Sequence, residues 1–183
     1  MKILIALFRG INVGGNAILP MKDLVGILGS LGLQDVRTYI QSGNVVFRST
    51  EGNLPQISGR IRSEIRKRFG FEPRLLLLES TELAKAIESN PFPEAESEPK
   101  TLHLSFLTSV PENPDLTTME NLKKDNERFA LEGRVFYLHA PEGIGKSKLA
   151  ANIEKLIGVP ATSRNWRTVT SIMELARSSG SPD

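Results

Sequence analysis

The chain has 183 residues, a net charge of +2, 39% hydrophobic and 24% charged residues, no cysteine and two histidines. Such a composition supplies a core for one domain or two small ones, and it argues against both a disordered chain and a dedicated duplex binder. Without cysteine there are no disulfides, thiol nucleophiles or thiolate metal sites, and His103 and His139 stand at no metal-ligand spacing, so neither a metal nor a cofactor is expected.

The chain opens with a strand, residues 2–8 (KILIALF). Its six apolar residues between Lys2 and Arg9 are too few for a secretory signal or a membrane span, so the expectation is a soluble, cytoplasmic protein with no membrane contact. The glycine-rich connection RGINVGGNAIL follows. Pro20 then fits the first position of a helix that carries Leu24, Leu28 and Leu31 on one face and stops at Gly32. Residues 36–41 and 44–49 flank Ser42-Gly43 as a β-hairpin. A second helix starts near Pro55, carries Ile57, Ile61, Ile65 and Phe69, and ends at Gly70. Residues 73–79 (PRLLLLE) form a buried strand, which completes a βαββαβ order, the ferredoxin-like plan.

Residues 80–89 read as a connecting helix, and the stretch 91–100, rich in proline and glutamate, as a linker. The expected organisation is therefore a ferredoxin-like half over 1–90 and a second α+β half over 101–183. In the latter, residues 102–108 alternate like a half-exposed strand, and a short helix falls within 116–124. Residues 127–132 and 134–140 form a hairpin about Glu132-Gly133. A helix bearing Leu149, Ile153, Leu156 and Ile157 follows the GIGKS loop, VPATS is a short edge strand, and residues 165–178 form a C-terminal helix. The fold class is α+β, two ferredoxin-like halves with antiparallel sheets.

Positive charge collects on the segments that hold the glycine-rich loops: five basic against two acidic residues in 1–50, six against four in 140–183. In the second of these, Gly145-Lys146-Ser147 imitates a phosphate loop. A Walker loop needs glycine five residues before its Gly-Lys; here that residue is Ala140, followed by Pro141, which has no N–H to donate. Glu79 after four leucines likewise reads as a strand exit rather than a nucleotide-hydrolysis element. The triplet points instead to a small anion site, with Lys146 and Ser147 in the first turn of a helix. A lysine there opposes the helix dipole unless an anion offsets it.

Other candidates for ligand contact are Arg9, Asn12, Gly14 and Gly15 in the first loop, and Gln41, Ser42 and Asn44 in the first hairpin. Arg164, Asn165 and Arg167 flank the lone tryptophan, Trp166, at the last helix start. For each, a local structural role competes: positive φ for the glycines, turn chemistry for the hairpin amides, core packing for Trp166. The basic run Arg60, Arg62, Arg66, Lys67 and Arg68 reads as a solvated helix face complementing the dipole. Nucleic acid is disfavoured as a partner, because the strands lack the aromatic spacing of an RNA-recognition domain.

The segments ALFRGINVGGN (6–16), VRTYIQSGNVVF (36–47) and GIGKSKL with ATSRNWRTV (143–149 and 161–169) together resemble the DUF1697 family, bacterial proteins with no assigned function. The resemblance implies a two-part α+β protein with ferredoxin-like halves, and no activity, substrate or catalytic residue. Three readings remain open. The first is a binding module for a phosphorylated or carboxylated ligand, placed between the RGINVGG loop and the starts of the last two helices. The second is a small enzyme acting on a phosphorylated or nucleotide substrate, although no catalytic constellation is visible. The third is a protein-interaction or self-association module, a homo-oligomer included.

Overall fold

The structure is a computed structural model and describes residues 1–179. The chain divides into two units, Met1–Lys85 together with the segment from Ser171, and Ala86–Thr170. Both are α+β and both carry a four-stranded antiparallel sheet. Among the described residues no helix is long and apolar enough to cross a membrane.

The first unit runs β1 (Lys2–Arg9), α1 (Met21–Ser30), β2 (Gln34–Tyr39), β3 (Asn44–Ser49), α2 (Leu54–Phe69) and β4 (Arg74–Glu79). Its strand order is β2-β3-β1-β4, the ferredoxin-like arrangement. The register pairs Leu4 with Phe47 and Ala6 with Val45, so one face of the sheet joins Leu24, Ile27 and Leu28 of α1 and Ile57, Ile61 and Ile65 of α2 in a single core. Spacing alone explains those helix positions, since residues three, four and eight apart share a helix face. Asn53 caps α2 by accepting the Gln56 N–H at 3.1 Å, and Gly70 ends it in the left-handed region. The opposite face of the sheet is also apolar and buried, through Ile5, Leu7, Val46 and Leu78.

The second unit repeats the order: β5 (Leu102–Leu107), α4 (Leu116–Leu122), β6 (Arg128–Glu132), β7 (Val135–His139), α5 (Lys148–Ile157) and β8 (Ala161–Asn165), with strands in the order β6-β7-β5-β8. A connecting helix, α3 (Ser80–Glu88), and a 3-10 turn at Pro93–Ser97 precede it; α6 (Trp166–Ser178) follows. Leu107, Phe136, Leu138, Met119, Leu149 and Ile153 lie in its core.

Four local expectations need correction. Pro20 is not the first helical residue; it occupies the N-cap position and Met21 opens α1. The first hairpin does not turn on Ser42-Gly43 alone, because Tyr39 and Asn44 are the last paired residues and Ile40–Gly43 form a four-residue loop. The strand at 102–108 is not half exposed: all six residues of β5 are buried, because β5 is central, bonded to β7 and β8 at its two edges. Its polar positions are absorbed internally, with Ser105 Oγ 2.5 Å from Ser163 Oγ. Finally, Lys146 is not in the first turn of α5. It belongs to a 3-10 turn over Ile144–Lys146, and Ser147 is the N-cap.

Candidate functional site

Seven of the thirteen sequence candidates belong to the first unit and six to the second. In the first unit, two loops meet at one end of the sheet. The loop after β1 is a small hairpin of its own: the Asn16 N–H donates to the Val13 carbonyl at 3.2 Å, and the Asn12 N–H to the Ala17 carbonyl at 3.1 Å. Its central residues, Gly14 and Gly15, have φ of +61° and +76°, the signature of a type I′ turn, which explains two successive glycines without invoking a ligand.

Asn12 holds the two loops together. Its side-chain Nδ2 donates to the Leu19 carbonyl at 2.9 Å and to the Gln41 carbonyl at 3.1 Å, while Oδ1 accepts the Leu19 N–H at 2.7 Å. Asn44, fully buried, donates from Nδ2 to Ser42 Oγ at 2.9 Å and to the Tyr39 carbonyl at 3.2 Å. Asn12→Ala should therefore unfasten the loops and destabilise the unit by about 1–2 kcal/mol, since part-exposed partners recover water. Hydrogen exchange at the Leu19 amide checks this, and unchanged protection there would sink the idea.

Backbone strain gathers at this junction. Asn12, Ala17 and Ile40 all have positive φ, and at +51° a β-branched residue such as Ile40 is an outlier. Ile40, Val13 and Ile18 are also exposed at 55%, 67% and 61%. Sequence reasoning missed these three, because an apolar residue carries no local mark of standing in water. Arg9, half-buried, ends β1 opposite Arg74.

In the second unit, register decides what comes together. Leu102 pairs with His139 at the end of β7, and the next residue, His103, pairs with Asn165 at the end of β8. The GIGKS loop and the RNWRT junction therefore leave from the same end of the sheet, on either side of β5. Strands β7 and β8, which flank β5, lie two inter-strand spacings apart, about 10 Å. Both helix starts are already capped: Ser147 Oγ accepts the Ala150 N–H at 3.0 Å, and Asn165 Oδ1 accepts the Thr168 N–H at 2.9 Å. Gly145, Lys146 and Arg167 are exposed. Arg164 is half-buried, and burial pushes its guanidinium down to about 10; its Nη1 donates to the Ser163 carbonyl at 2.9 Å. Trp166 is buried, as its helical stripe with Val169, Met173 and Ala176 requires.

Charge around this end is largely answered internally. Glu142 accepts from Lys124 Nζ at 2.6 Å and Asn126 Nδ2 at 3.2 Å, and these bonds, with lesser help from Lys146, hold its carboxyl below the usual range. Arg128 pairs with Glu94, stands 4.8 Å above the Phe92 ring and lies 3.1 Å from His139 Nδ1. Partial burial, with the Arg128 charge, keeps the His139 imidazole below its ordinary value. His103 is buried with Nδ1 unpartnered; desolvation lowers it too, against a weaker pull from the Thr101 backbone. Among the described residues no three His, Asp or Glu side chains stand where they could share a metal ion.

The basic run on α2 is mostly paired: Arg60 with Glu51 at 2.5 Å, Arg62 and Arg66 with Glu72 at 3.2 and 3.7 Å, Arg68 with Glu64 at 2.7 Å. A helix face so neutralised makes a poor phosphate-backbone track.

Comparison with curated proteins returned no match. Among solved structures, the conserved bacterial protein SP0830 from Streptococcus pneumoniae is similar over 96% of this chain and 98% of its own, with a TM-score of 0.70 and 24% identity, which supports the fold alone. The sequence profile described as a protein of unknown function, DUF1697, matches residues 1–137, three quarters of the chain and both signature loops of the first unit. By that match the chain belongs to the DUF1697 family.

Proposed function

We propose that the protein is a binding module whose second unit takes a small phosphorylated or carboxylated ligand at the sheet end where α5 and α6 begin. The observation that supports this is the register Leu102–His139 beside His103–Asn165, which sets two helix N-termini and the cations Lys146, Lys148, Arg164 and Arg167 at one end of one sheet. Both dipoles favour negative charge there. The spacing of about 10 Å between β7 and β8 suits an extended ligand, because a lone phosphate is too small to touch both starts. A second reading, a protein-interaction module, draws on the exposed Val13, Ile18 and Ile40 of the first unit.

A thermal-shift screen tests the first reading. Phosphate, nucleotides with and without magnesium, short RNA and DNA, and acidic metabolites are offered to the native chain and to Lys146→Ala. Ligand at about 100 times Kd stabilises a fold by roughly 2.7 kcal/mol, a rise of about 5–10 °C at this size. The expected result is one responding anion class whose shift is lost in Lys146→Ala. An empty panel, together with association that weakens in Ile40→Ser, would replace it with the second reading.

A further inference from the structure

His103 carries an unmet demand. It is 8% exposed, and among the described residues its Nδ1 finds no hydrogen-bond partner. Buried polar atoms are nearly always bonded, so an orphan of this kind calls for a cause. The Thr101 carbonyl, which pulls on the ring only weakly, already accepts the Ala140 N–H at 2.8 Å. Desolvation holds the imidazole below its ordinary value, so at neutral pH the ring offers one N–H and one lone pair.

The position of this residue relates it to the two helix starts. β5 lies between β7 and β8, midway across the span of about 10 Å that separates them. His103 is the second residue of β5 at that end, opposite Leu138 on β7 and Asn165 on β8. Residues directly opposite on neighbouring strands share a face, and Leu138 shares a core with Leu149 of the first turn of α5. The ring therefore stands on the face that α5 covers, between the start of that helix and the residue that caps α6. A half-turn about its Cβ–Cγ bond exchanges Nδ1 with Cδ2, so that nitrogen can meet an arriving group without movement of the strand. On the same face, Ser105 leads to the exposed Ser163 through their paired hydroxyls. The two loops at this end, residues 140–148 and 163–167, hold Lys146, Lys148, Arg164 and Arg167 against one carboxylate, Glu142, itself bonded to Lys124 at 2.6 Å. A molecule that bridges both starts lays its anionic ends on those loops and its middle over His103.

We infer that the ligand is a polyol with phosphate or carboxylate at both ends and a hydroxyl between them that bonds to His103 Nδ1, an assignment that rests on the anion site proposed above. A hydroxyl both donates and accepts, so it satisfies Nδ1 in either tautomer, whereas an ester or anion oxygen only accepts.

The test offers two probes to the full chain in calorimetric titrations, mannitol 1,6-bisphosphate and hexane-1,6-diyl bisphosphate. They share a carbon chain and both phosphates, and only the first has hydroxyls along it. The hexitol is expected to bind about tenfold more tightly, the gain from one hydrogen bond to a buried partner. His103→Phe should erase that preference. His103→Asn, whose amide reaches about as far as Nδ1, should keep it. In ring-nitrogen NMR spectra of the native chain, Nδ1 should move with the hexitol and stay put with the hydroxyl-free probe; this reading stands even where a variant fails to fold. Equal Kd values, a preference that survives in His103→Phe, or an unmoved Nδ1 would overturn the assignment, while binding lost in Lys146→Ala would leave the anion site standing. Binding of neither probe overturns both.

Discussion

Gly43→Ala is expected to destabilise the first unit by about 2–5 kcal/mol, the sum of roughly 1–2 for a left-handed alanine and roughly 1–3 for overpacking. Gly43 is buried with φ at +75°, and a Cβ placed on it would lie 2.6 Å from Phe8 Cβ and 2.7 Å from Ile11 Cδ1. Phe8 Cβ is fixed to the central strand and cannot rotate away. The backbone cannot retreat either, since the Gly43 carbonyl accepts the Phe8 N–H at 2.8 Å, and Asn12 ties the neighbouring Gln41 carbonyl. Gly14→Ala is the control: its φ is +61° but a Cβ there meets nothing within 4 Å, so only the conformational part, roughly 1–2 kcal/mol, should appear. Thermal denaturation should show Gly43→Ala melting about 5–15 °C below the native chain and well below Gly14→Ala. Equal melting of the two variants would mean that the loops separate easily and that the junction is not the rigid feature described.

Much of the fold was legible because periodicity and punctuation agreed. Ile57, Ile61 and Ile65 recur at helical spacing before Gly70, and the paired strands around Gly133 are marked by a glycine with positive φ. What failed to show was long-range. Nothing local distinguishes β5 as a central strand, so its alternation read as half exposure, whereas in the sheet, between β7 and β8, His103 and Ser105 are buried along with the leucines. The candidate loops illustrate the same limit. Gly14-Gly15 and Asn12 stand out in the sequence, yet the first is a type I′ turn and the second a three-bond fastening, both satisfied within the protein. Ser147 and Asn165 similarly serve as caps. That the loops carrying Lys146 and Arg164 leave from the same sheet end depends on a register that no single segment encodes.

Tyr137 should govern the alkaline limit of the second unit. It is 1% exposed, and its O–H donates to the Ala86 carbonyl at 2.7 Å, one of the last-turn carbonyls of α3 that have no partner within the helix. Burial, with a smaller contribution from the Glu132 charge, pushes the phenol up to about 12. The fold therefore favours the neutral form. Its contribution is complete below the unfolded value of about 10 and is lost as pH rises through 12, a total of about 2–3 kcal/mol for a shift of this size. Tyr137→Phe leaves the Ala86 carbonyl unpaired, which destabilises the unit by about 1–3 kcal/mol at neutral pH. The variant has no phenol to ionise, so the native and variant stabilities should converge between pH 10 and 12 in denaturant titrations. Curves that stay parallel through that window would show that the phenol reaches water without unfolding, and that its bond to Ala86 is not what holds the end of α3.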